Sequence, residues 1–254
     1  MALNSLEQFF SALRSRQTPA LLWYSQPGER IELSGRVLEN WVAKTANFLV
    51  DECEVESGDT VTLAMPTHWR SLVIALAALR TGAQLQLLEQ GQDAAGAAQS
   101  GEVCFAFDPE VLDGLEIDYP VLVDRGPLSP RYMGELPAGA VDYCAEVRAH
   151  GDVYSQFETP QANQPAFAGL SLTYENLLAE LASSAQQLAE QSEAPSVQMS
   201  EPDFVTADYL KNFLELLAAG RGVVVLDPAL EWEPTRVQKV LADEKAEVLP
   251  GQSS

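Results

Sequence analysis

The chain has 254 residues, 46% of them apolar, with 37 acidic against 15 basic side chains and a formal net charge of −22. That length can bury a full core, as one large domain or two modest ones, while the charge repels nucleic acid and anionic membrane surfaces and argues against either as a partner. No apolar run reaches the length of a membrane span, and the segment around Glu7 and Arg14 lacks a signal peptide's basic and apolar blocks, so a cytoplasmic protein is expected.

Cys53, Cys104 and Cys144 are widely spaced and odd in number, as expected of reduced core residues, and His68 and His150 are too few for a His-rich metal site. In chain order, Asn4–Ser15 reads as a helix with Asn4 and Glu7 at capping-box spacing and Leu6, Phe9, Phe10 and Leu13 on one face. Ala20–Ser25 and Arg30–Leu33 read as strands around a turn at Pro27–Gly28. Ser34 caps an amphipathic helix carrying Val37, Leu38, Trp41, Val42, Phe48 and Leu49. Thr60–Met65 is a buried strand. The helix started by Thr67 is apolar all round over Leu72–Leu79 and ends at Gly82, ahead of a strand at Leu85–Leu88. This strand–helix–strand run implies parallel pairing.

Gly91–Gly101 reads as a loop or weak helix, Glu102–Phe107 and Val121–Asp124 as strands, Pro127–His150 as irregular, and Gly151–Ala168 as a mobile loop. Gly169–Leu178, GLSLTYENLL, reads as a strand at Leu170–Leu172 entering a helix capped by Thr173, with Leu177, Leu178, Leu181 and Leu188 on its apolar side. Such a junction aims bare N–H groups at one spot, where a phosphate often sits. Val197–Met199 and Val223–Leu226 read as strands. Thr206 caps a helix bearing Leu210, Phe213, Leu214 and Leu217, and Pro234 opens another whose inner face is Val237, Val240 and Leu241.

There is no GxSxG, GxxxxGK or GxGxxG motif. Asp108, Asp118, Asp124 and Asp227 fall near predicted strand ends, where α/β sheets bind ligands, although loop capping is the commoner role. His68 and Trp69 open the buried helix, Tyr174, Glu175 and Asn176 form a helical first turn, and Arg125 and Arg131 are the best-placed cations for an anion.

Gly28–Leu88 resembles the opening of the AMP-forming adenylating enzymes, the superfamily of acyl-CoA synthetases, luciferases and adenylation domains. Glu29–Arg30, Gly58–Asp59, Pro66 and Leu79–Ala83 match the order of that opening. GLSLTYENLL is similar to the segment after their phosphate loop, and Leu214–Val248 to their later helix, Val-rich strand and Asp-Pro turn. The wording of Leu33–Leu49 and Leu136–Arg148 is closest to a short actinobacterial family known by its faint similarity to AMP-binding enzymes. The resemblance covers most of the chain and the N-terminal part of such an enzyme.

It implies an α/β fold of two sheet-centred subdomains with βαβ units, resembling the N-terminal part of the adenylate-forming fold without its C-terminal lid. One subdomain would be Thr60–Glu190, and the other, discontinuous, Met1–Ser57 with Ala194–Ser254; a cleft between them would sit near Gly169–Glu175. The family's Ser/Thr-Gly-rich phosphate loop, ending in Pro-Lys-Gly, should occupy Thr159–Gly169, which here reads TPQANQPAFAG. Only Gly169 survives, Ala168 stands in the lysine's place, and no lysine occurs between Lys44 and Lys211. Tyr174 and Val205 replace two expected histidines, and the sequence ends before the family's ribose-binding Asp and its lid lysine.

The resemblance therefore leaves Gly169, Thr173 and Tyr174 as the remnant of a nucleotide site, with no catalytic residue, metal or cofactor expected and ATP or AMP binding in doubt. The leading expectation is a catalytically degenerate relative that binds a small molecule or protein in a regulatory or scaffold role. The alternative is an enzyme of altered chemistry that kept an acyl, CoA or nucleotide pocket. A third, structural reading has apolar surface covered by another protein or by a second copy, as a homodimer.

Overall fold

The computed structural model describes residues 5–88, 103–113, 117–155, 160–191, 194–199 and 201–249. The chain divides into two compact units: Met1–Glu39 with Thr67–Trp69 and Asn176–Ser254, and Asn40–Pro66 with Arg70–Glu175. The chain passes between the units at Glu39–Asn40, on either side of Thr67–Trp69, and at Glu175–Asn176.

The first unit is built on a sheet of order β10-β8-β9-β1-β2. Its strands are β1 (Pro19–Tyr24), β2 (Arg30–Ser34), β8 (Ser196–Gln198), β9 (Gly222–Leu226) and β10 (Ala246–Val248). β1 pairs antiparallel with β2 and parallel with β9, and β8 runs parallel to both β9 and β10. Ala20–Trp23 and Val223–Val225 are buried without interruption, as strands covered on both faces must be. β2 instead alternates exposed Arg30 and Glu32 with buried Ile31 and Leu33, the pattern of an edge strand wet on one side.

Helix α1 (Leu6–Ser15) buries Leu6, Phe9, Phe10 and Leu13. Its cap is Ser5, whose hydroxyl accepts from the Gln8 N–H; the expected cap, Asn4, lies outside the described residues. α6 (Ala207–Ala218) is capped by Thr206 as expected, and α7 (Pro234–Asp243) lays Val240 on Leu22, Val224 and Leu226. β10, beyond α7, had no sequence signal: its three residues are half-buried or exposed and owe their strand form to pairing with β8.

The second unit holds an all-parallel sheet of order β4-β3-β5-β6-β7. Its strands are β3 (Thr60–Ala64), β4 (Gln84–Leu87), β5 (Val103–Ala106), β6 (Tyr119–Leu122) and β7 (Val141–Asp142). Helix α2 (Gly35–Asp51) leads in, with the Ser34 hydroxyl accepting from the Val37 N–H. Helix α3 (Trp69–Thr81) joins β3 to β4, so this βαβ unit is parallel as expected, and Leu72–Leu79 are buried on every side.

Two expectations change here. Pro127–His150 is not wholly irregular: Asp142 ends β7 and caps the short helix α4 (Tyr143–Glu146), its carboxylate accepting from the Ala145 N–H. Tyr143 stacks edge-on with Phe48 and Phe105, which is what holds so short a helix. Leu170–Leu172 is not a strand. Ala166 and Ala168 take the hydrogen bonds offered by Leu85 at the edge of β4, the chain reverses after Phe167, and Leu170 is left 49% exposed. The stretch expected at Gly91–Gly101 lies outside the described residues.

Gly82 closes α3 at φ +85, and a Cβ there would meet Ser57 Oγ at 2.7 Å and Pro160 Cγ at 3.0 Å. Gly28, at φ +90, has nothing within 4 Å. Gly82→Ala should therefore lower the unfolding free energy in urea by about 2–3 kcal/mol, against about 1 kcal/mol for Gly28→Ala. Equal losses would show that the crowding at Gly82 has no energetic weight.

Candidate functional site

Helix α5 (Tyr174–Gln191) follows the loop that stands where a phosphate loop was expected. A helix N-terminus binds an anion only while its first N–H groups are free. Here the Tyr174 N–H donates to Gln164 O at 2.9 Å and the Glu175 N–H to Ala162 O at 3.1 Å. Within the loop the N–H groups of Gln164, Ala166 and Ala168 donate to Gln161, Leu172 and Leu85 carbonyls at 2.9, 2.9 and 3.0 Å. The Gln164 side chain adds a bond to Gly82 O at 2.6 Å. The loop thus folds onto its own carbonyls and onto the edge of β4.

The three residues expected to be the remnant of the nucleotide site do different things. Gly169 sits exposed in a turn at φ +74, with open space where a Cβ would be. Thr173 forms an antiparallel backbone bridge with Pro165. Tyr174 is 2% exposed, and its hydroxyl lies 2.6 Å from Ala83 O and 3.1 Å from Leu79 O, tying the start of α5 to the end of α3. Burial pushes this phenol well above its ordinary range.

The scattered aspartates act mainly as loop caps. Asp108 accepts from the Glu110 N–H, and Asp227 from the Ala229 N–H at 3.0 Å and the Ser25 hydroxyl at 2.9 Å. Asp118 is exposed. Asp124 accepts from the Gly126 and Met133 N–H groups. Burial raises its carboxyl, but bonds from Ser129, Gly126 and Met133 and the charge of Arg70 outweigh this and leave it below its usual range. Arg125 lies 5.3 Å over the Phe107 ring, and Arg131 is exposed. His68 stacks edge-on against Trp23 at 4.8 Å. Cys53, Cys104 and Cys144 are free and buried, and burial pushes the first two thiols up to about 12.

Sequence reasoning missed two groups. Arg70, 2% exposed, donates to the carbonyls of Asp124, Gly126 and Ser129 at 2.5, 2.7 and 3.1 Å, and so shapes the loop after β6. Glu201 lies just past β8. Its carboxylate accepts from the Leu226 N–H at 3.1 Å and from Gln198 Nε2 at 3.2 Å, between the ends of two neighbouring parallel strands. Burial pushes its carboxyl up to about 8, against the lowering effect of those same hydrogen bonds. A Glu-Pro step after a short apolar strand was the available signal, and it is a weak one because such steps are ordinarily solvated turns. Among the described residues no group of His, Cys, Asp and Glu could hold a metal, and no helix is long and apolar enough to cross a membrane.

Tyr174→Phe removes the hydroxyl donor at Ala83 O, while Leu79 O keeps the Gly82 N–H at 3.3 Å, and should lower stability by about 1–3 kcal/mol in urea melts; an unchanged midpoint would remove the anchoring role. Glu201 has the opposite sign. From its ordinary 4.5 up to about 8 the folded chain keeps a proton that the unfolded chain has released, so its contribution falls as pH rises through that window and is level above it. The stability difference between the native chain and Glu201→Gln should therefore shift toward the variant by on the order of 4 kcal/mol from pH 4.5 to 8. A difference that stays flat over this range would contradict it.

No family model matches the chain. Among solved structures, acyl-CoA synthetase from Brucella canis superposes with a TM-score of 0.69 at 17% identity, covering 92% of this chain and 45% of that one. Coronafacic acid ligase from Pectobacterium brasiliense gives a TM-score of 0.72 at 12% identity, covering 97% of this chain and 50% of that one. A nonribosomal peptide synthetase gives 0.65 at 16% identity, with 95% and 25% covered. The chain spans about half the length of the two ligases, and identities this low carry the fold alone, which is that of the N-terminal half of the adenylate-forming enzymes. A curated protein of Mycobacterium tuberculosis, described as a TIGR03089 family protein, is 32% identical over 234 residues, 89% of this chain and 89% of that protein. At that identity and coverage, the chain belongs to the TIGR03089 family.

Proposed function

We propose that this chain is a non-catalytic relative of the adenylate-forming enzymes that binds a small molecule or a protein in a regulatory or scaffold role. The observation that carries the reading is the hydrogen bonding of the 160–175 loop, whose N–H groups at Gln164, Ala166, Ala168, Tyr174 and Glu175 all meet carbonyls of the chain itself. A triphosphate would need those donors, flexible glycines around them and a cation. The loop has Ala168 at the lysine's position, and no lysine occurs between Lys44 and Lys211. Adenylation also requires in-line stabilisation of developing charge on the transferred phosphoryl group, and the sequence has neither lysine nor arginine between Arg148 and Lys211.

The names of the structural neighbours, a synthetase and a ligase, supply the compounds to try. ATP–pyrophosphate exchange with a panel of aliphatic and aromatic carboxylic acids should stay at background. Thermal shift with AMP, ATP–Mg, CoA and acyl-CoAs then tests for retained binding, since a ligand of the folded state must raise its melting temperature. Exchange above background with any acid overturns the proposal.

A further inference from the structure

The loop after β6 displays apolar side chains on a frame that is fixed from beneath. Its first turn is closed by the Ser129 N–H on Gly126 O at 3.2 Å. Arg70 donates to the carbonyls of Gly126 and Ser129, and Arg148 to those of Leu128 and Ser129 at 3.3 and 3.4 Å. One carboxylate then ties this turn to the next part of the loop: Asp124 accepts from the Gly126 N–H at 2.8 Å through one oxygen and from the Met133 N–H at 2.9 Å through the other. The turn that bears Leu128 and the backbone of Met133 therefore lie side by side.

Tyr132 turns inward. Its N–H donates to Asp142 at 2.8 Å, its hydroxyl donates to Phe107 O at 3.2 Å, and a Cβ at Gly134 would meet its ring at 2.8 Å. Arg131, Met133 and Glu135, which alternate with Tyr132 and Gly134, are exposed. Leu128 is 69% exposed, Met133 64% and Leu136 42%, so three of the eight exposed large apolar side chains among the described residues fall within this one loop. Apolar side chains scattered singly over a surface need no explanation, whereas a group of them marks a place of contact. A loop already pinned by its hydrogen bonds also gives up little conformational freedom when it is covered.

The charge pattern selects the occupant. At a net charge of −22, two copies of the chain repel each other at long range and can meet only where the local excess of acid is absent. Arg125–Gly134 holds two arginines and no acid. Arg131 and Glu135 stand two residues to either side of Met133, and neither forms an ion pair among the described residues. In an isologous pair, residue i of one copy meets residue j of the other and j meets i, so a twofold axis near Met133 sets each Arg131 against the Glu135 of the other copy. We propose that this loop is the surface through which two copies of the chain associate, with Leu128, Met133 and Leu136 as its apolar centre and two reciprocal Arg131–Glu135 pairs at its rim. Its composition fits, since methionine and arginine are enriched at protein interfaces. The surface does not involve the 160–175 loop, so it stands whether or not the chain adenylates.

The test is sedimentation equilibrium of the full chain at physiological ionic strength, from about 1 to about 200 µM, where a monomer–dimer equilibrium is expected. Leu128→Ser combined with Met133→Ser should raise the dissociation constant at least tenfold. Arg131→Glu and Glu135→Arg each set two like-charge pairs across the axis, and each variant alone should be monomeric. Mixed in equal amounts, the two variants regain both attractive pairs and should associate as a heterodimer. The substituted side chains are all exposed, so every variant is expected to keep its native circular dichroism. A chain that stays monomeric over the whole range would leave the loop to a different protein and overturn the proposal. A dimer unchanged by the paired serine substitutions, or a mixture of the two charge variants that stays monomeric, would overturn it as well.

Discussion

The first unit depends on the pairing of β1 with β9. Leu21, Leu22 and Trp23 lie in parallel register with Val223, Val224 and Val225, so a strand from the beginning of the chain becomes central in a sheet whose other parallel strands come from its end. Both strands are buried on both faces, which makes their placement a burial requirement as much as a matter of hydrogen bonding. Arg16 reinforces the join by donating to the Arg221 carbonyl at 2.9 Å, and Gly222 fits where its Cβ would meet Ser196 Oγ at 2.8 Å. Without that join, β8 and β9 would lack the neighbour that covers the β9 edge.

The second unit is held by a different device. The edge of β4 is covered by Ala166–Ala168, the Gln164 side chain reaches Gly82, and the Tyr174 hydroxyl closes on the end of α3. An edge strand left open is a liability, and covering it with the chain's own loop removes that liability. The same covering engages the backbone donors that a nucleotide loop would keep free. Stability of the β4 edge and availability for an anion are therefore competing uses of one segment.

Much of this was legible in the sequence because it rested on periodicity and caps. The β3–α3–β4 unit, the Thr206 cap, the all-round burial of Leu72–Leu79 and the buried cysteines follow from local pattern alone. Leu170–Leu172 failed for a tertiary reason: an apolar triplet beside a helix start looks like a strand, but the hydrogen bonds at the sheet edge were already taken by Ala166 and Ala168. α4 was missed because four residues have no period to read, and its stability comes from Tyr143 packing against Phe48 and Phe105. β10 is a strand only because β8 offers it an edge.

What the amino-acid sequence by itself determined was the α/β alternation, the acidic surface charge and the absence of lysine and glycine where a phosphate loop would need them, since all three are local or additive properties. Only the tertiary structure decided that Tyr174 faces the end of α3, that Arg70 shapes the loop after β6, and that Glu201 bridges the ends of β8 and β9. Each of those depends on groups far apart in the chain meeting at a few ångströms, and no local pattern encodes a meeting of that kind.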